Sequence, residues 1–243
     1  MANIVKKDPT AITTELASLM AGEMPVDSRD FLIPKILLMQ STSELVKQEK
    51  ARAGEIRGSV DTNKIADREG KVEIIPFTVY KTWVTFLKKG STFVRQVPFT
   101  PENCTLPREE MVDGHEVVNF ETLNYYCLLP DEIKAGMFMP YVVSFRSTSY
   151  TAGKTLESMR AKLAEFKKPL PFKTFWLSSN PRKNDKGSFY AYGITESRNT
   201  TDAELEAVKK WYQLVKGGGA RVDESELHSA PAESATVAET DEF

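Results

Sequence analysis

Cations interleaved with flat aromatic side chains recur along this chain. That pairing suits a single-stranded polyanion, whose phosphates need positive charge and whose ring faces need stacking partners. Lys81, Trp83, Phe86, Lys88, Lys89, Phe93 and Arg95 lie around one strand–turn–strand segment. Arg146 and Tyr150 precede Lys154, while Lys173, Phe175 and Trp176 precede Arg182, Lys183 and Lys186, and Phe189, Tyr190 and Tyr192 follow on a returning strand. Each ring has a competing reading as core, with the lysines only solubilising an edge. Strand alternation separates some of them: Tyr141, Val143 and Phe145 share one face and Ser144 and Arg146 the other, which aims Arg146 at a groove. The same period exposes Tyr126 and buries Tyr125 with Leu123 and Cys127.

Catalytic signatures are absent. Gly153-Lys154-Thr155 resembles the end of a phosphate-binding loop, but the earlier glycine that such a loop requires would stand at position 148, which is Thr148. That triplet reads as the start of a helix. The chain has no nucleophile elbow and no His-Glu-x-x-His, and its carboxylates fall into no catalytic pattern. Two cysteines, Cys104 and Cys127, and two histidines, His115 and His228, are too few and too scattered for a zinc site or a disulfide framework. The expectation is a binding protein: no enzyme, no metal and no cofactor.

The elements that must position these side chains are mainly strands. β-Branched and aromatic residues dominate from Val72 to Tyr80 and from Trp83 to Leu87; after Lys88-Lys89-Gly90-Ser91 they resume from Thr92 to Val97, which predicts a hairpin. Pro98 to Gly114 reads as a charged surface loop, and strands return at Val117–Leu129 and Tyr141–Thr148. Leu156, Met159, Leu163 and Phe166 recur at helical spacing and predict a helix whose apolar stripe covers a sheet. Two more strands, Phe172–Ser178 and Phe189–Thr195, flank a basic hairpin tip from Asn180 to Gly187. A second helix runs from about Asp202 to Lys216, capped by Thr200 or Thr201, with Leu205, Val208, Trp211 or Tyr212, and Val215 as its buried stripe. Ahead of all this, Phe31–Met39 is densely apolar but contains Pro34, and reads as an edge strand or packed connector.

Charge divides unevenly over the 243 residues. From Val222 to Phe243 there are seven acids and no Lys or Arg, leaving residues 1–221 at about +5. Gly217-Gly218-Gly219 ends the second helix and begins a linker into a segment too poor in apolar residues to fold. That tail ends Asp241-Glu242-Phe243, a lone aromatic and its carboxylate beside two acids, suited to a basic pocket with an apolar floor on a partner protein. No apolar run approaches the roughly 20 residues that span a bilayer, and the N-terminus lacks a secretory pattern, so a cytoplasmic protein is expected.

The order strands, helix, strands is consistent with a mainly β (α+β) oligonucleotide-binding-fold barrel carrying a helix between strands, then a C-terminal helix and a disordered acidic tail. Residues 1–60 read as an N-terminal arm, 61–216 as the binding domain and 217–243 as the tail. The tail end Asp241-Glu242-Phe243, the run Pro140 to Thr148 with the helix after it, and Leu170-Pro171-Phe172 through Phe189-Tyr190-Ala191-Tyr192 resemble phage-encoded single-stranded DNA-binding proteins of the barrel-plus-acidic-tail type. The resemblance implies sequence-tolerant coating of single-stranded DNA in phage replication or recombination. It also implies recruitment of a polymerase, helicase-primase or recombinase through the tail, in the host cytoplasm. A homodimer is compatible with it. Two other readings stay open: a strand-annealing recombination mediator, and a non-enzymatic phage interaction or inhibitor module.

Overall fold

A computed structural model describes residues 32–89, 92–136, 139–185, 187–216 and 221–223. Two long strands form the spine. β5 (Lys71–Leu87) and β8 (His115–Leu128) pair antiparallel from Ile75↔Leu128 to Leu87↔Val117. Around them are β1 (Leu32–Ile33), β2 (Lys35–Leu38), helix α1 (Glu44–Lys47), β3 (Ile56–Gly58), β4 (Lys64–Ala66), β6 (Phe93–Pro98) and β7 (Glu109–Val112). The chain continues through α2 (Pro130–Ala135), β9 (Tyr141–Phe145), α3 (Tyr150–Glu165), β10 (Lys173–Asn184), β11 (Gly187–Asn199), α4 (Asp202–Lys216) and β12 (Arg221–Val222). The main sheet runs β11-β10-β5-β8-β9-β2-β3-β4, with β6 on β5 and β7 on β8.

The spine carries Pro76 in a central strand because the ladder breaks there, with a register shift between Pro76 and Thr78. The shift also exchanges faces. Val72 and Ile74 before it and Val79 after it face the principal core, whereas Ile75 and Phe77 face α4. That principal core gathers Leu123, Tyr125, Cys127, Val143, Phe145, Leu156, Phe175, Leu177, Tyr192 and Ile194 under α3. A second cluster joins Ile75, Phe77 and Leu128 to Ala207 and Val208 of α4.

The expected barrel does not close. β2 pairs antiparallel with β3 and parallel with β9, so it is an interior strand of a mixed sheet. Pro34 sits between β1 and β2, where its missing N–H is not called on, while its carbonyl accepts from the Val142 N–H (2.9 Å). At the free edge of β11, closure is made by side chains and not by a strand. The Gln40 amide donates to the Tyr190 carbonyl (2.9 Å) and accepts from the Tyr190 N–H (3.0 Å), and the Tyr192 hydroxyl donates to the Ile36 carbonyl (2.9 Å).

Several boundaries also differ from the sequence reading. Residues 32–58, read as part of an arm, supply β1 to β3. Within the expected loop from Pro98 to Gly114, Glu109–Val112 pairs with β8 across an Asp113-Gly114 turn whose residues both have positive φ. The basic tip shrinks, because β10 and β11 stay paired out to Asn184↔Gly187. Phe166 is 65% exposed, so the stripe of α3 ends at Leu163. The chain beyond α4 also re-enters the fold: Arg221 and Val222 pair in parallel with Leu32 and Ile33, and the Asp223 N–H donates to the Ile33 carbonyl. The rest of the acidic tail and residues 1–31 lie outside the described residues.

Candidate functional site

Of the four cations around the hairpin β5–β6, three lie in ion pairs. The Lys81 ammonium lies 2.9 Å from a Glu121 carboxylate oxygen, Lys88 2.7 Å from Glu109, and Arg95 2.7 Å from Glu110. The Glu109 hydrogen bond holds the Lys88 ammonium above its ordinary range. Cross-strand carboxylates have thus taken the place that phosphates would need. The rings of this region are also occupied. Trp83 is buried, donates its indole N–H to the Asn103 carbonyl (2.8 Å) and stacks on Phe99, so it is not offered to a base. Phe86 is buried between the edges of Phe93 and Phe120, with the Arg146 guanidinium 5.3 Å from its ring centre. Lys89 is exposed at the end of β5.

At the start of α3, Lys154 stands 5.2 Å over the Tyr150 ring, and burial together with the neighbouring Glu121 pushes the Tyr150 hydroxyl up. Gly153 faces the sheet: a Cβ there would lie 2.8 Å from the Phe145 Cβ and 2.9 Å from a Leu123 methyl. The Gly-Lys-Thr triplet is therefore a helix–sheet contact point and not a phosphate loop.

On the inner side of β11, Tyr190 and Tyr192 are buried, which corrects their reading as stacking partners. Tyr190 packs against Gly54 with Arg68 over its ring, and Tyr192 meets Phe145 edge to face. Lys173 pairs with Glu196 at 2.7 Å.

The outer face of the β10–β11 ribbon is different. Phe175 and Leu177 point inward, so Trp176, Ser178, Asn180 and Arg182 alternate to the outside. The Lys71 ammonium stands 4.2 Å over the partly exposed Trp176 ring. Further along, Arg182 and Lys183 are exposed near the ribbon tip. Between them the surface stays low, since Gly193 lies opposite Ser178 and Ala191 opposite Asn180. A strip with a cation-capped indole at one end and Arg182 at the other results, while Lys183 alternates to the opposite face of the ribbon. Lys71 was missed from the sequence because only the β5–β10 register, Ser178↔Lys71, brings it to Trp176. Lys186, Asp241, Glu242 and Phe243 lie outside the described residues.

Tyr126 is half-buried against the cluster that joins the spine to α4, its ring 5.4 Å from Tyr80 and its hydroxyl pushed up by burial. Among the described residues, no group of three or more His, Cys, Asp or Glu side chains converges as a metal site, and no helix is long and apolar enough to cross a membrane.

The family model of the Pam3 phage gp34-like proteins matches residues 5–221, nearly the whole chain. The chain belongs to the Pam3 phage gp34-like family. No curated protein and no solved structure matches it. Membership places the molecule among phage proteins, and the matched span takes in the spine, the β10–β11 ribbon and α4, stopping short of the acidic run.

Proposed function

We propose that this Pam3 phage gp34-like protein binds single-stranded DNA without strong sequence preference, coating and protecting it during phage replication or recombination. The observation that carries this reading is the Lys71–Trp176 pair on a strand face leading to Arg182. From Trp176 to Arg182 is six residues, about 20 Å of extended strand. A strand laid along it would stack a base on the indole while phosphates meet Lys71 and Arg182, the combination that sequence-tolerant single-strand binding uses. The ring partly shielded by Lys71 would trade its ammonium for a base as the ammonium moves to phosphate. In this reading no reaction is catalysed, and the acidic tail recruits replication or recombination proteins through Asp241, Glu242 and Phe243.

Intrinsic tryptophan fluorescence tests it, by titration with oligo(dT) and with duplex DNA at two salt concentrations. Trp83 is buried and hydrogen-bonded, whereas Trp211 is half-buried on α4, so W176F should remove the Trp176 share of the quenching and W211F identifies any remainder. Salt-sensitive quenching by the single strand that is weaker with duplex supports the function; no binding at low salt overturns it. A tail-free chain for comparison should end after Asp223, since a cut in the glycine linker removes β12 and its pairing with β1.

A further inference from the structure

The α4 helix buries Ala207 and Val208 and packs Trp211 and Val215 against the spine, yet it leaves Tyr212 39% exposed. That ring is surplus to the packing of the helix. It borders a cleft of about 290 Å³ between α4 and the spine, lined by Thr78, Tyr80, Tyr126, Tyr212, Val215 and Lys216. With Val79 the lining residues number seven, and three of them are tyrosines. Tyr80 and Tyr126 form the sheet wall, their ring centres 5.4 Å apart and inclined by 41°. Tyr212 and Lys216, one turn apart on α4, form the helix wall, with the Lys216 ammonium 5.5 Å from the Tyr212 ring centre.

Resting on the DNA-binding reading above, we propose that this cleft is a nucleobase pocket, taking one unstacked base of the bound strand between its tyrosine walls while Lys216 meets the adjoining phosphate. The chemistry of the lining selects that occupant. Aromatic walls favour a flat, polarisable guest; the Tyr80 and Tyr126 side chains are hydrogen-bonded to each other, which fixes the sheet wall as a preformed aromatic surface. A single ammonium at the rim adds a preference for an anion attached to that guest. An aliphatic guest would leave the ammonium unused, and a bare anion would leave the rings unused. The cleft is small for a drug-sized ligand but adequate for a single base. It lies at Thr78 and Tyr80, further along β5 than Lys71 and Glu73 beside the Trp176 strip, so the strand would be held at two separated points.

The test uses the full chain and a fluorescently labelled oligo(dT), with Y212A, Y212F and K216A measured beside W176A and circular dichroism confirming that each folds. Loss of one stacking partner predicts about tenfold or weaker binding for Y212A and near-normal binding for Y212F. K216A should lower the slope of log affinity against log salt by about 0.7, the value for one lost phosphate contact on a single strand. Photo-crosslinking with 5-iodouracil in the oligonucleotide should give adducts on Tyr80, Tyr126 or Tyr212, a result that needs no variant. If Y212A and K216A bind like the wild type while W176A is weakened, and adducts fall only on the β10–β11 ribbon, the pocket is overturned and the function stands. If the wild-type chain binds neither oligo(dT) nor free thymidine monophosphate, both fall together.

Discussion

Arg198 holds Glu204 with both guanidinium nitrogens, at 2.9 and 2.7 Å, and the same guanidinium reaches Glu73 at 3.1 Å. One residue thus ties the end of β11 to the first turn of α4 and to the spine. Glu204 also closes a capping box, accepting from the Thr201 N–H (2.8 Å) while its own N–H donates to the Thr201 hydroxyl (3.4 Å). These hydrogen bonds, with Arg198 foremost, hold the buried Glu204 carboxyl at about 2, against an ordinary 4.5. A carboxyl lowered on folding stabilises the fold fully above its unfolded pKa. That stabilisation drains away as pH falls from about 4.5 toward 2. E204Q should therefore cost roughly 2–3 kcal/mol near neutrality, and the gap between variant and wild type should narrow below pH 4.5. Urea unfolding at a series of pH values measures it; a gap independent of pH would refute the assignment.

Gly153 is where α3 comes closest to the sheet, and G153A would set a methyl within 3 Å of Phe145 and Leu123. Alanine favours a helix by about 1 kcal/mol over glycine, so on propensity alone the change would stabilise. Overpacking against a β-carbon, which cannot swing away, costs about 1–3 kcal/mol and should win. A lowered Tm is expected; a raised one would mean the helix can slide.

Gln40 replaces a strand at the free edge of β11 by pairing with both the N–H and the carbonyl of Tyr190. Q40A should leave a part-buried donor and acceptor unpaired, costing about 1–3 kcal/mol. The local signature is faster hydrogen exchange at the Tyr190 amide, with the amides of Phe175 and Leu177 in the adjoining strand unchanged. Uniformly faster exchange would point instead to global loosening.

Lys71 stands over the indole of Trp176. K71A should shift the emission of Trp176 in the free protein, remove one phosphate contact and so lower the salt slope of oligo(dT) binding by about 0.7. A slope equal to that of the wild type would take Lys71 out of the interface.

Local patterns made several parts of this protein legible. The hairpin of β5 and β6, the alternation that buries Tyr125, and the span of α4 all follow from side-chain period and capping residues close together in sequence, whereas Tyr126, expected to be exposed, is half-buried under α4. The acidic run after residue 222 is likewise a property of composition alone.

What only the tertiary structure decided is which strands become neighbours. Register brings Glu109, Glu110 and Glu121 onto Lys88, Arg95 and Lys81, turning apparent phosphate binders into internal ion pairs, and no local pattern announces a partner up to 40 residues away. The same long-range pairing buries Trp83, Tyr190 and Tyr192 and carries Lys71 to Trp176 and Tyr212 to Tyr80. An aromatic or a lysine has the same local preferences whether it ends in a core, an ion pair or a cleft. Its role is settled by the surfaces that arrive opposite it when the sheet assembles.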